Sequence, residues 1–501
     1  MSATAGVRVD LGRVIGLVDP KIYGQFLSRR RWVVEDALFQ PGHEDAGLDG
    51  IRQSVASAVT EMAPTVIRWP GGCTGTSYEW ERGVGEPDLR SRTVDWHFGY
   101  DVGNGFGTAE FVAFCREVGA EPHINLTTGT GSLREALAWL EYANGSDRSH
   151  YAELRRSHGY DEPFNVPYWQ IGNEEWGEWE IGRVTAGQNA QRAREWAHAL
   201  HKLKPRIKVI AVGAWRKDLA VDWNTALLRE AWDDLDYLAV HTYWRFDSDA
   251  EAGDYDRLIG ASVAEEEAIV ALKGLIDLIG REKGSSHRPS IAFTEWNCAD
   301  LTHQEMSPQW RPGQTQYRML DALVCASFLN VMQRQSATVG LANFAQTINV
   351  VGALMVDQDN VIKEAVYWPL WMQRHHSGPV AVDALVTAPT LGCCGFDGRR
   401  REIPALDVSA TRSEDGTRLW LSVVNRDREQ AHSLDLDLLG AETVTAARTC
   451  LLTAPLLARN TVEDPECISP TWVDVEDVTG QVSVPPASYS ITEITLDPAR
   501  G

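Results

Sequence analysis

Long apolar runs are missing from this 501-residue sequence. No segment approaches the roughly 18 consecutive apolar residues that a membrane-spanning helix requires. The N-terminus, Met1 to Arg8, has no basic segment followed by an apolar stretch, so it predicts no secretory signal. The composition, 44% hydrophobic and 23% charged, is that of a globular protein with a large core. We therefore predict a cytoplasmic protein with no membrane partner.

Positive charge is also scarce, because the formal net charge is -23 at pH 7. The one basic cluster, Arg29-Arg30-Arg31, is short and is followed by apolar residues and acids. Phosphate groups are bound by clustered Lys and Arg, so this charge balance predicts no nucleic-acid partner. An acidic surface suits a neutral substrate.

Motifs for disulfides, metals and nucleotides are absent as well. The eight cysteines are scattered without CxxC pairs, and we expect all of them to be reduced. Cys115 and Cys325 lie in apolar helical patterns that predict core positions. There is no HExxH motif and no Cys/His cluster, so the sequence predicts no metal site.

Eight candidate β-strands, mostly separated by helical patterns, fill the first three quarters of the chain. Repeated β-then-α units predict a parallel sheet, and eight of them predict a closed (β/α)8 barrel with long loops after the strands. An open doubly wound sheet is the alternative, but Gly103-Asn-Gly105-Phe-Gly107 lacks the GxGxxG spacing that such a fold favours, and Gly129-Thr-Gly131 is not a P-loop. The predicted strands are Ile22–Phe26, Pro64–Trp69, Glu121–Leu126, Val166–Gly172, Ile207–Val212, Leu235–His241, Ser290–Thr294 and Ala342–Val351.

After about residue 375 the pattern changes to short runs of period two, separated by turn signals such as Asp415-Gly416. Examples are Leu406–Ala410, Arg418–Val424 and Ser488–Leu496. This pattern predicts a C-terminal antiparallel β-sandwich. The fold class is therefore α/β, with a TIM barrel over residues 19–374 and a sandwich over residues 375–501.

Reactive side chains stand where several predicted barrel strands end, which is the face that carries the active site in this fold. Strand 2 ends in Arg68-Trp69-Pro70-Gly71-Gly72, and strand 4 ends in Gly172-Asn173-Glu174. Strand 6 ends in His241-Thr242-Tyr243, and strand 7 ends in Thr294-Glu295-Trp296. Two carboxylates from two strands can thus face each other across a substrate.

Hydrolysis of a glycosidic bond needs two such carboxyl groups. One carboxylic acid protonates the leaving oxygen, while the other attacks the anomeric carbon or activates water. A gap of roughly 5 Å between them gives retention of configuration, and a wider gap gives inversion. Each residue has a plainer interpretation: a strand-end Glu can cap a helix or pair with Arg, and His241 can be a hydrogen-bonded core residue. Arg68 fits best as the ion-pair partner of a barrel carboxylate.

Tryptophan is abundant, with 19 residues. The count alone favours a large aromatic core, whereas flat aromatic faces also stack on sugar rings. We expect about half of the tryptophans near the strand-end loops to line the site and the rest to be core; these are Trp80, Trp96, Trp176, Trp179, Trp244 and Trp296.

Several segments resemble those of family 51 of the glycoside hydrolases, the α-L-arabinofuranosidases, over nearly the whole chain. The Gly-Asn-Glu and Glu-Trp-Asn pieces are shared across the wider clan of retaining barrel enzymes, and the longer segments are more specific to the family. The matching segments are Ile22-Tyr-Gly24, Ile67-Arg-Trp-Pro-Gly-Gly-Cys73, Asn104-x-Phe-Gly-Thr108, Gly172-Asn-Glu-x-x-Gly-x-Trp-x-Ile-Gly182, Val240-His-x-Tyr243, Glu295-Trp-Asn297, Ala345-Gln-x-Ile-Asn349 and Leu406-Asp-Val-Ser-Ala-Thr411 with Val424-Asn-Arg426.

The resemblance implies a retaining exo-enzyme that releases terminal non-reducing α-L-arabinofuranosyl residues by double displacement. Glu174 is implied as the acid/base and Glu295 as the nucleophile. Asn173 is implied to bind the sugar 2-hydroxyl, and Tyr243 to lie close to the nucleophile. A carbohydrate substrate, no cofactor, a homo-hexamer and a sandwich that includes residues 1–18 are implied as well. Further implied substrate-binding or pocket residues are Cys73, Trp179 and Gln346, to which we add His241, Arg68 and Trp296 from their strand-end positions.

One position departs from the family pattern. After Ile-Tyr-Gly the family usually reads x-Phe-x-Glu-His, and that Glu holds hydroxyls of the sugar, but Ser28 and Arg29 stand here. Losing a charged acceptor should weaken recognition of that hydroxyl by about 1.5–3 kcal/mol. Three functions therefore stay open at this point: an arabinofuranosidase; the same chemistry on another sugar, such as a galactofuranoside or a β-pyranoside; and an inactive carbohydrate-binding scaffold. Glu174 and Glu295 together argue against the last.

Overall fold

The computed structural model describes residues 3–47, 49–246, 253–300, 311–314, 316–475 and 482–498. Eight parallel strands close into a barrel, and each lies between its neighbours in the chain. The predicted (β/α)8 barrel is thus confirmed. We number these strands 1 to 8: Gly24–Phe26, Val66–Trp69, Glu121–Leu126, Tyr168–Ile171, Lys208–Val212, Tyr237–Phe246, Ser290–Asp300 and Val339–Ala345.

Helices follow most of these strands and pack around the barrel. Helix Leu133–Asn144 begins at a capping box: the Ser132 hydroxyl accepts from the Glu135 backbone N–H while the Glu135 carboxylate accepts from the Ser132 backbone N–H. Within the described residues no helix is both long and apolar enough to cross a membrane. The helices are Gln53–Met62, Thr108–Glu117, Leu133–Asn144, His150–Ser157, Ala186–Leu203, Ala220–Ala231, Gly253–Ile259, Ala261–Glu282, Met319–Arg334 and Tyr367–His375.

Two local expectations differ from the structure. Strand 1 starts at Gly24 rather than Ile22, because Pro20–Tyr23 form a 3-10 turn capped by the Asp19 carboxylate. Strand 8 ends at Ala345 rather than Val351, so residues 346–351 are free to form a loop over the barrel mouth.

The barrel strands alternate between two environments, as the period of two in a β-strand requires. Residues such as Ile67, Trp69 and Trp169 join the large core shared with the helices. Their neighbours form a separate apolar layer of Val66, Tyr168, Ile210, Tyr237, Ala239, Ala292 and Leu341. This layer fills the lower barrel interior, so the side chains above it, Arg68 among them, lie at the floor of the mouth.

The C-terminal strands form one nine-stranded sheet around a second apolar core that includes Val7, Val408 and Leu421. The sheet is antiparallel as predicted except for one pair: Ala3–Leu17 pairs antiparallel with Val380–Thr387 and parallel with His432–Leu439. In spatial order the strands are Thr471–Asp474, Ala441–Thr453, Ser488–Pro498, Arg418–Asn425, Leu406–Arg412, Val380–Thr387, Ala3–Leu17, His432–Leu439 and Val482–Val484.

The N-terminal strand lies in this sheet rather than in the barrel. This position is consistent with a barrel over residues 19–374 and a second domain built from residues 1–18 and 375–501. The exact domain boundaries stay a prediction. A buried polar seam joins the sheet to the barrel. Asp407 accepts from the Asn330 amide at 3.1 Å, and the guanidinium groups of Arg334 and Arg426 each lie 3.1 Å from its carboxylate. These paired charges fix the sheet against helix Met319–Arg334.

Candidate active site

A pocket of about 540 Å³ opens at the carboxyl ends of the barrel strands. This volume falls in the range typical of small-molecule sites. The residues that line it come from most of the loops at this end of the barrel, as in other enzymes of this architecture. They are Phe26, Ser28, Arg30, Gly72, Cys73, Thr74, His97, Phe98, Glu174, Trp176, Trp179, His241, Tyr243, Glu295, Gln346, Val350 and Val351.

Glu174 follows strand 4 and has a left-handed backbone conformation with φ of 47°. Such a conformation is uncommon for a residue other than glycine and is typical of functional positions. Its Oε1 lies 2.7 Å from His241 Nδ1, and its Oε2 accepts from the Trp179 indole at 2.9 Å. Burial raises the pKa of Glu174, but the bonds with His241 and Trp179 lower it more, so the net pKa in the free site is below the ordinary value.

Glu295 reaches the pocket because strand 7 contains a bulge. Phe293 pairs with Val240 and Glu295 with His241, which leaves Thr294 as an extra residue. Thr294 and Glu295 therefore both point inward, and the Thr294 hydroxyl lies 2.9 Å from His241 Nε2. The Glu295 carboxylate accepts from Arg68 Nη1 at 2.6 Å and from the Tyr243 hydroxyl at 2.6 Å.

The two glutamates face each other across the pocket. One carboxylate oxygen of Glu174 and one of Glu295 lie within 4.8 Å of each other and of a His241 ring nitrogen. This separation is close to the roughly 5–5.5 Å of retaining glycosidases and shorter than the roughly 6.5–9.5 Å of inverting ones. The site can thus place an acid and a nucleophile on one glycosidic bond.

Asn173 lies directly beneath the pocket and is fully buried. Its Oδ1 accepts from Arg68 Nη2 at 2.7 Å, and its Nδ2 donates to Glu180 Oε1 at 2.9 Å. The pocket-lining Gly72 covers it: a Cβ at Gly72 would lie 2.6 Å from Glu295 Oε1 and 3.4 Å from Asn173 Nδ2. Only glycine fits at this position, which explains the second glycine of the Trp-Pro-Gly-Gly segment.

Cys73 follows Gly72 and lines the pocket. Burial raises the pKa of its thiol, and the carboxyl groups of Glu180 and Glu174 raise it further, so Cys73 stays a neutral thiol. The sulfur and one oxygen each of Glu174 and Glu180 lie within 4.8 Å of one another. These atoms, and the set of Glu174, His241 and Glu295, are the described groups that could hold a cation, but most of their oxygens and nitrogens already form hydrogen bonds.

The departure at Ser28 changes little around it. The Ser28 backbone N–H donates to Gln346 Oε1 at 3.1 Å, and its hydroxyl lies 3.4 Å from that of Thr74. The Arg29 side chain turns away from the pocket to bind Asn104 Oδ1 at 2.6 Å. Arg29 therefore adds no charge to the wall, and Ser28 leaves space where the family usually has a carboxylate.

The six tryptophans divide differently from the expectation that about half line the site and the rest are core. Two of them, Trp176 and Trp179, line the pocket, and Trp96 is exposed away from its lining. Trp80 and Trp244 are buried in the core. Trp296 is also core, which corrects its assignment to the substrate-binding set: the residue after the inward Glu295 must point outward, and its ring packs on Phe328 and Phe344.

Arg68 forms the predicted ion pair with a barrel carboxylate, Glu295, but its place in the substrate-binding set is corrected, because it lies under the pocket wall and contacts Glu295 and Asn173 rather than the open cavity. Several neighbours of the site were not predicted, among them Arg30, His97, Phe98 and Glu180. Arg30 belongs to the basic cluster noticed in the sequence, and its guanidinium lies 4.6 Å from the Phe98 ring centre. No barrel strand ends near His97 or Phe98, so no sequence signal marked them.

Comparison with known proteins places this site in a family. The model of the α-L-arabinofuranosidase 1 domain matches residues 58–258, and that of the α-L-arabinofuranosidase C-terminal domain matches residues 294–488. A probable α-L-arabinofuranosidase C of Aspergillus clavatus is 34% identical over 433 residues, which are 82% of this chain and 83% of that protein. The chain belongs to the α-L-arabinofuranosidases of glycoside hydrolase family 51.

Two further relatives of this family 51 glycosidase extend the match to almost the full chain. The intracellular exo-α-(1→5)-L-arabinofuranosidase of Streptomyces lividans is 29% identical over 99% of this chain and 76% of its own length. The thermostable family 51 α-L-arabinofuranosidase from Thermotoga petrophila superposes with a TM-score of 0.87 at 32% identity, over 98% of this chain and 100% of that one. Barrel and sheet together are thus the family's architecture.

Proposed function

We propose that this glycoside hydrolase releases terminal α-L-arabinofuranosyl residues by a retaining double displacement. The observation that carries the proposal is the pair of carboxyl oxygens of Glu174 and Glu295 within 4.8 Å of each other. At that distance Glu295 reaches the anomeric carbon directly, because no room is left for a water molecule between it and the sugar. We propose arabinofuranose as the sugar because the relatives in this family are described as α-L-arabinofuranosidases.

In the first step, Glu295 Oε2 or Oε1 forms a bond to the anomeric carbon while the bond from that carbon to the leaving oxygen breaks. Arg68 and Tyr243 hold the carboxylate at 2.6 Å each and fix its direction. Arg68 is fully buried, so its positive charge faces the Glu295 carboxylate with little screening by solvent. A glycosyl ester with Glu295 results.

Glu174 supplies the proton to the leaving oxygen and takes one from the water that then hydrolyses the ester. Its Oε1 lies 2.7 Å from His241 Nδ1, and this contact orients the carboxyl group. His241 is itself oriented by Thr294 through its other ring nitrogen. A substrate oxygen that arrives beside Glu174 thus meets a carboxyl group held in one direction.

Arabinofuranose is the sugar that we propose in spite of Ser28. Gln346 and Thr74 remain beside Ser28, and Arg29 does not enter the pocket. The relatives from Aspergillus clavatus, Streptomyces lividans and Thermotoga petrophila are all described as arabinofuranosidases. A galactofuranoside or a β-pyranoside is the second candidate, and the space that Ser28 leaves is the observation in its favour.

The test is hydrolysis of 4-nitrophenyl α-L-arabinofuranoside beside the corresponding β-D-galactofuranoside and a set of β-pyranosides. We expect the arabinofuranoside to have the highest kcat/KM. Nuclear magnetic resonance of the first product formed should show the α-anomer, since two displacements retain configuration. A better galactofuranoside or pyranoside substrate would reject the sugar assignment, and a β-anomer as first product would reject the mechanism.

We further propose that the enzyme is a cytoplasmic homo-oligomer, a hexamer by its resemblance to the family. Eight free cysteines support a reducing compartment, and the Streptomyces lividans relative is described as intracellular. Light scattering coupled to size-exclusion chromatography measures the assembly directly. A mass near the 55.6 kDa of one chain would reject the oligomer.

A further inference from the structure

Glu180 is a buried carboxyl group behind the catalytic pocket that the mechanism above does not use. Its residue is only 4% exposed. Oε1 accepts from the Asn173 amide at 2.9 Å, whereas Oε2 is buried without a hydrogen-bond partner. An unpaired carboxylate oxygen is costly to bury, and a proton on the group removes that cost.

The surroundings of Glu180 favour the neutral acid. The titratable groups that face it are the Cys73 thiol and the carboxyl groups of Glu174 and Glu175. The nearest guanidinium in this network, Arg68, reaches Glu180 only through Asn173. Burial raises the pKa of Glu180, and the charge of Glu174 raises it further, so that the pKa is about 8 although the nearby Cys73 thiol and the Asn173 amide lower it.

Glu180 contacts Asn173, which lies directly beneath the pocket, and lies beside Cys73, which lines it. Asn173 is held on its oxygen by Arg68 and on its nitrogen by Glu180, which leaves one N–H of the amide unused. The Cys73 sulfur lies within 4.8 Å of a Glu180 carboxyl oxygen and of Glu174. Both contacts come from one side chain that does not itself line the cavity.

We propose that Glu180 is a positioning residue: its neutral carboxyl group holds the Asn173 amide and contacts the Cys73 thiol for the sugar without adding a negative charge beside Glu174. An ionised Glu180 still accepts from Asn173 and Cys73, but its charge repels the carboxyl groups of Glu174 and Glu175. The active site then loses its arrangement at alkaline pH. This inference rests on the proposed function, since the sugar is what Asn173 and Cys73 are held against.

The test compares Glu180→Gln with the wild type on 4-nitrophenyl α-L-arabinofuranoside from pH 5 to 10. This substrate has a good leaving group, so protonation of Glu174 contributes little to the rate. The wild-type kcat/KM should fall through pH 8 and reach about a tenth of its plateau near pH 9. Glu180→Gln keeps the acceptor for Asn173 and has no proton to lose, so it should stay within about threefold of the wild type at pH 6 and keep that activity at pH 9.

Glu180→Ala and a matched control separate positioning from general stability. Glu180→Ala removes both contacts and should lower kcat/KM at pH 6 at least tenfold, a loss that the Gln variant does not show. Glu364→Gln changes another buried carboxyl group with a pKa of about 8, outside the pocket lining, and should leave the alkaline fall in kcat/KM in place. If kcat/KM falls at alkaline pH in Glu180→Gln as it does in the wild type, Glu180 does not position the site.

Thermal unfolding gives a readout that needs no turnover. Glu180 should stay neutral in the folded protein while it ionises in the unfolded chain, so the wild type should lose stability as the pH rises from about 4.5 to about 8. The Tm of Glu180→Gln should therefore rise relative to the wild type between pH 5 and 8, and an unchanged difference would overturn the neutral carboxyl. A wild type that does not cleave the arabinofuranoside would reject the proposed function instead, and the Tm comparison would still report the state of Glu180.

Discussion

Arg68 and Glu295 form a buried ion pair, 2.6 Å between Nη1 and Oε1, at the floor of the pocket. The same guanidinium holds Asn173 through Nη2, so one side chain orients both Glu295, the proposed nucleophile, and Asn173. Because Arg68 has no exposed surface, removing either partner leaves the other charge buried. The pair therefore contributes both to the stability of the barrel mouth and to the proposed reaction.

Arg68→Lys tests this link. A lysine cannot form two directed bonds to Glu295 and Asn173 at once, so we expect kcat/KM to fall by about 10–100-fold with a lower Tm. The measurements are steady-state kinetics and thermal unfolding. Arg318→Lys is the matched control, because its 2.8 Å pair with Asp321 is equally buried but lies outside the pocket lining. Equal losses of kcat/KM in both variants would show that Arg68 serves stability alone.

Tyr243→Phe removes the 2.6 Å bond to Glu295 Oε2 and keeps the ring. A hydrogen bond to a charged group is worth about 1.5–3 kcal/mol, so kcat/KM should fall by about 10–100-fold. Tyr23→Phe provides the control, since it loses a buried hydroxyl bonded to Ser377 in a region away from the pocket. A Tyr243→Phe enzyme with wild-type kinetics would contradict a role for the hydroxyl in holding the nucleophile.

Glu295→Ala should remove the nucleophile without unfolding the barrel. We expect kcat to fall by about 10⁴-fold or more, because the covalent path is closed. Circular dichroism and the Tm report whether the fold is kept, and Glu282→Ala, at an exposed pair with Arg229, is the control. Turnover at the wild-type rate would contradict the assignment of Glu295 as the nucleophile.

Ser28→Ala tests whether the departure from the family pattern affects the kcat/KM of this enzyme. The Ser28 hydroxyl has only a long 3.4 Å contact with Thr74, so its loss should change kcat/KM on the arabinofuranoside by about threefold or less. Gln346→Ala should cost more, because Gln346 lines the pocket and supports the Ser28 backbone. A loss above about 30-fold in Ser28→Ala would mean that the hydroxyl itself binds the sugar.

The buried carboxyl group of Glu364 should make the free energy of unfolding depend on pH. Burial raises its pKa from 4.5 to about 8, although the bond from the Tyr317 backbone N–H lowers it. Its contribution to stability is complete below the unfolded pKa and is lost as the pH rises from about 4.5 to about 8. Glu364→Gln should therefore gain up to ~5 kcal/mol relative to the wild type over that window. Chemical denaturation at pH 5 and pH 8 measures the gain, and no change between the two would contradict the neutral acid.

The sequence predicts the parts of this molecule that follow from periodicity and from position along the strands. The eight barrel strands alternate with helices, and Glu174 and Glu295 come directly after buried runs, so their convergence at one mouth follows from the architecture. The pairing of Arg68 with a barrel carboxylate could be expected too, since a buried cation needs a partner.

What the sequence does not predict depends on local geometry. The extra residue Thr294 turns Glu295 inward and Trp296 outward, and no sequence pattern distinguishes a bulge from a regular strand here. Glu180 lies in a loop, six residues beyond Glu174, and only the folded chain brings its carboxyl group to Asn173. Site residues that follow barrel strands can be predicted from the sequence more readily than site residues in the loops that fold back toward the pocket.

The position of Ala3–Leu17 has a consequence for how the protein is made. This strand leaves the ribosome early, yet its partners Val380–Thr387 and His432–Leu439 follow it by more than 360 residues. At a synthesis rate of about 5–20 residues per second, it waits roughly 20–70 seconds for the first of them. During that time the whole barrel can form while the strand remains an unpaired apolar segment. The order of translation therefore requires that the earliest strand be among the last elements to fold.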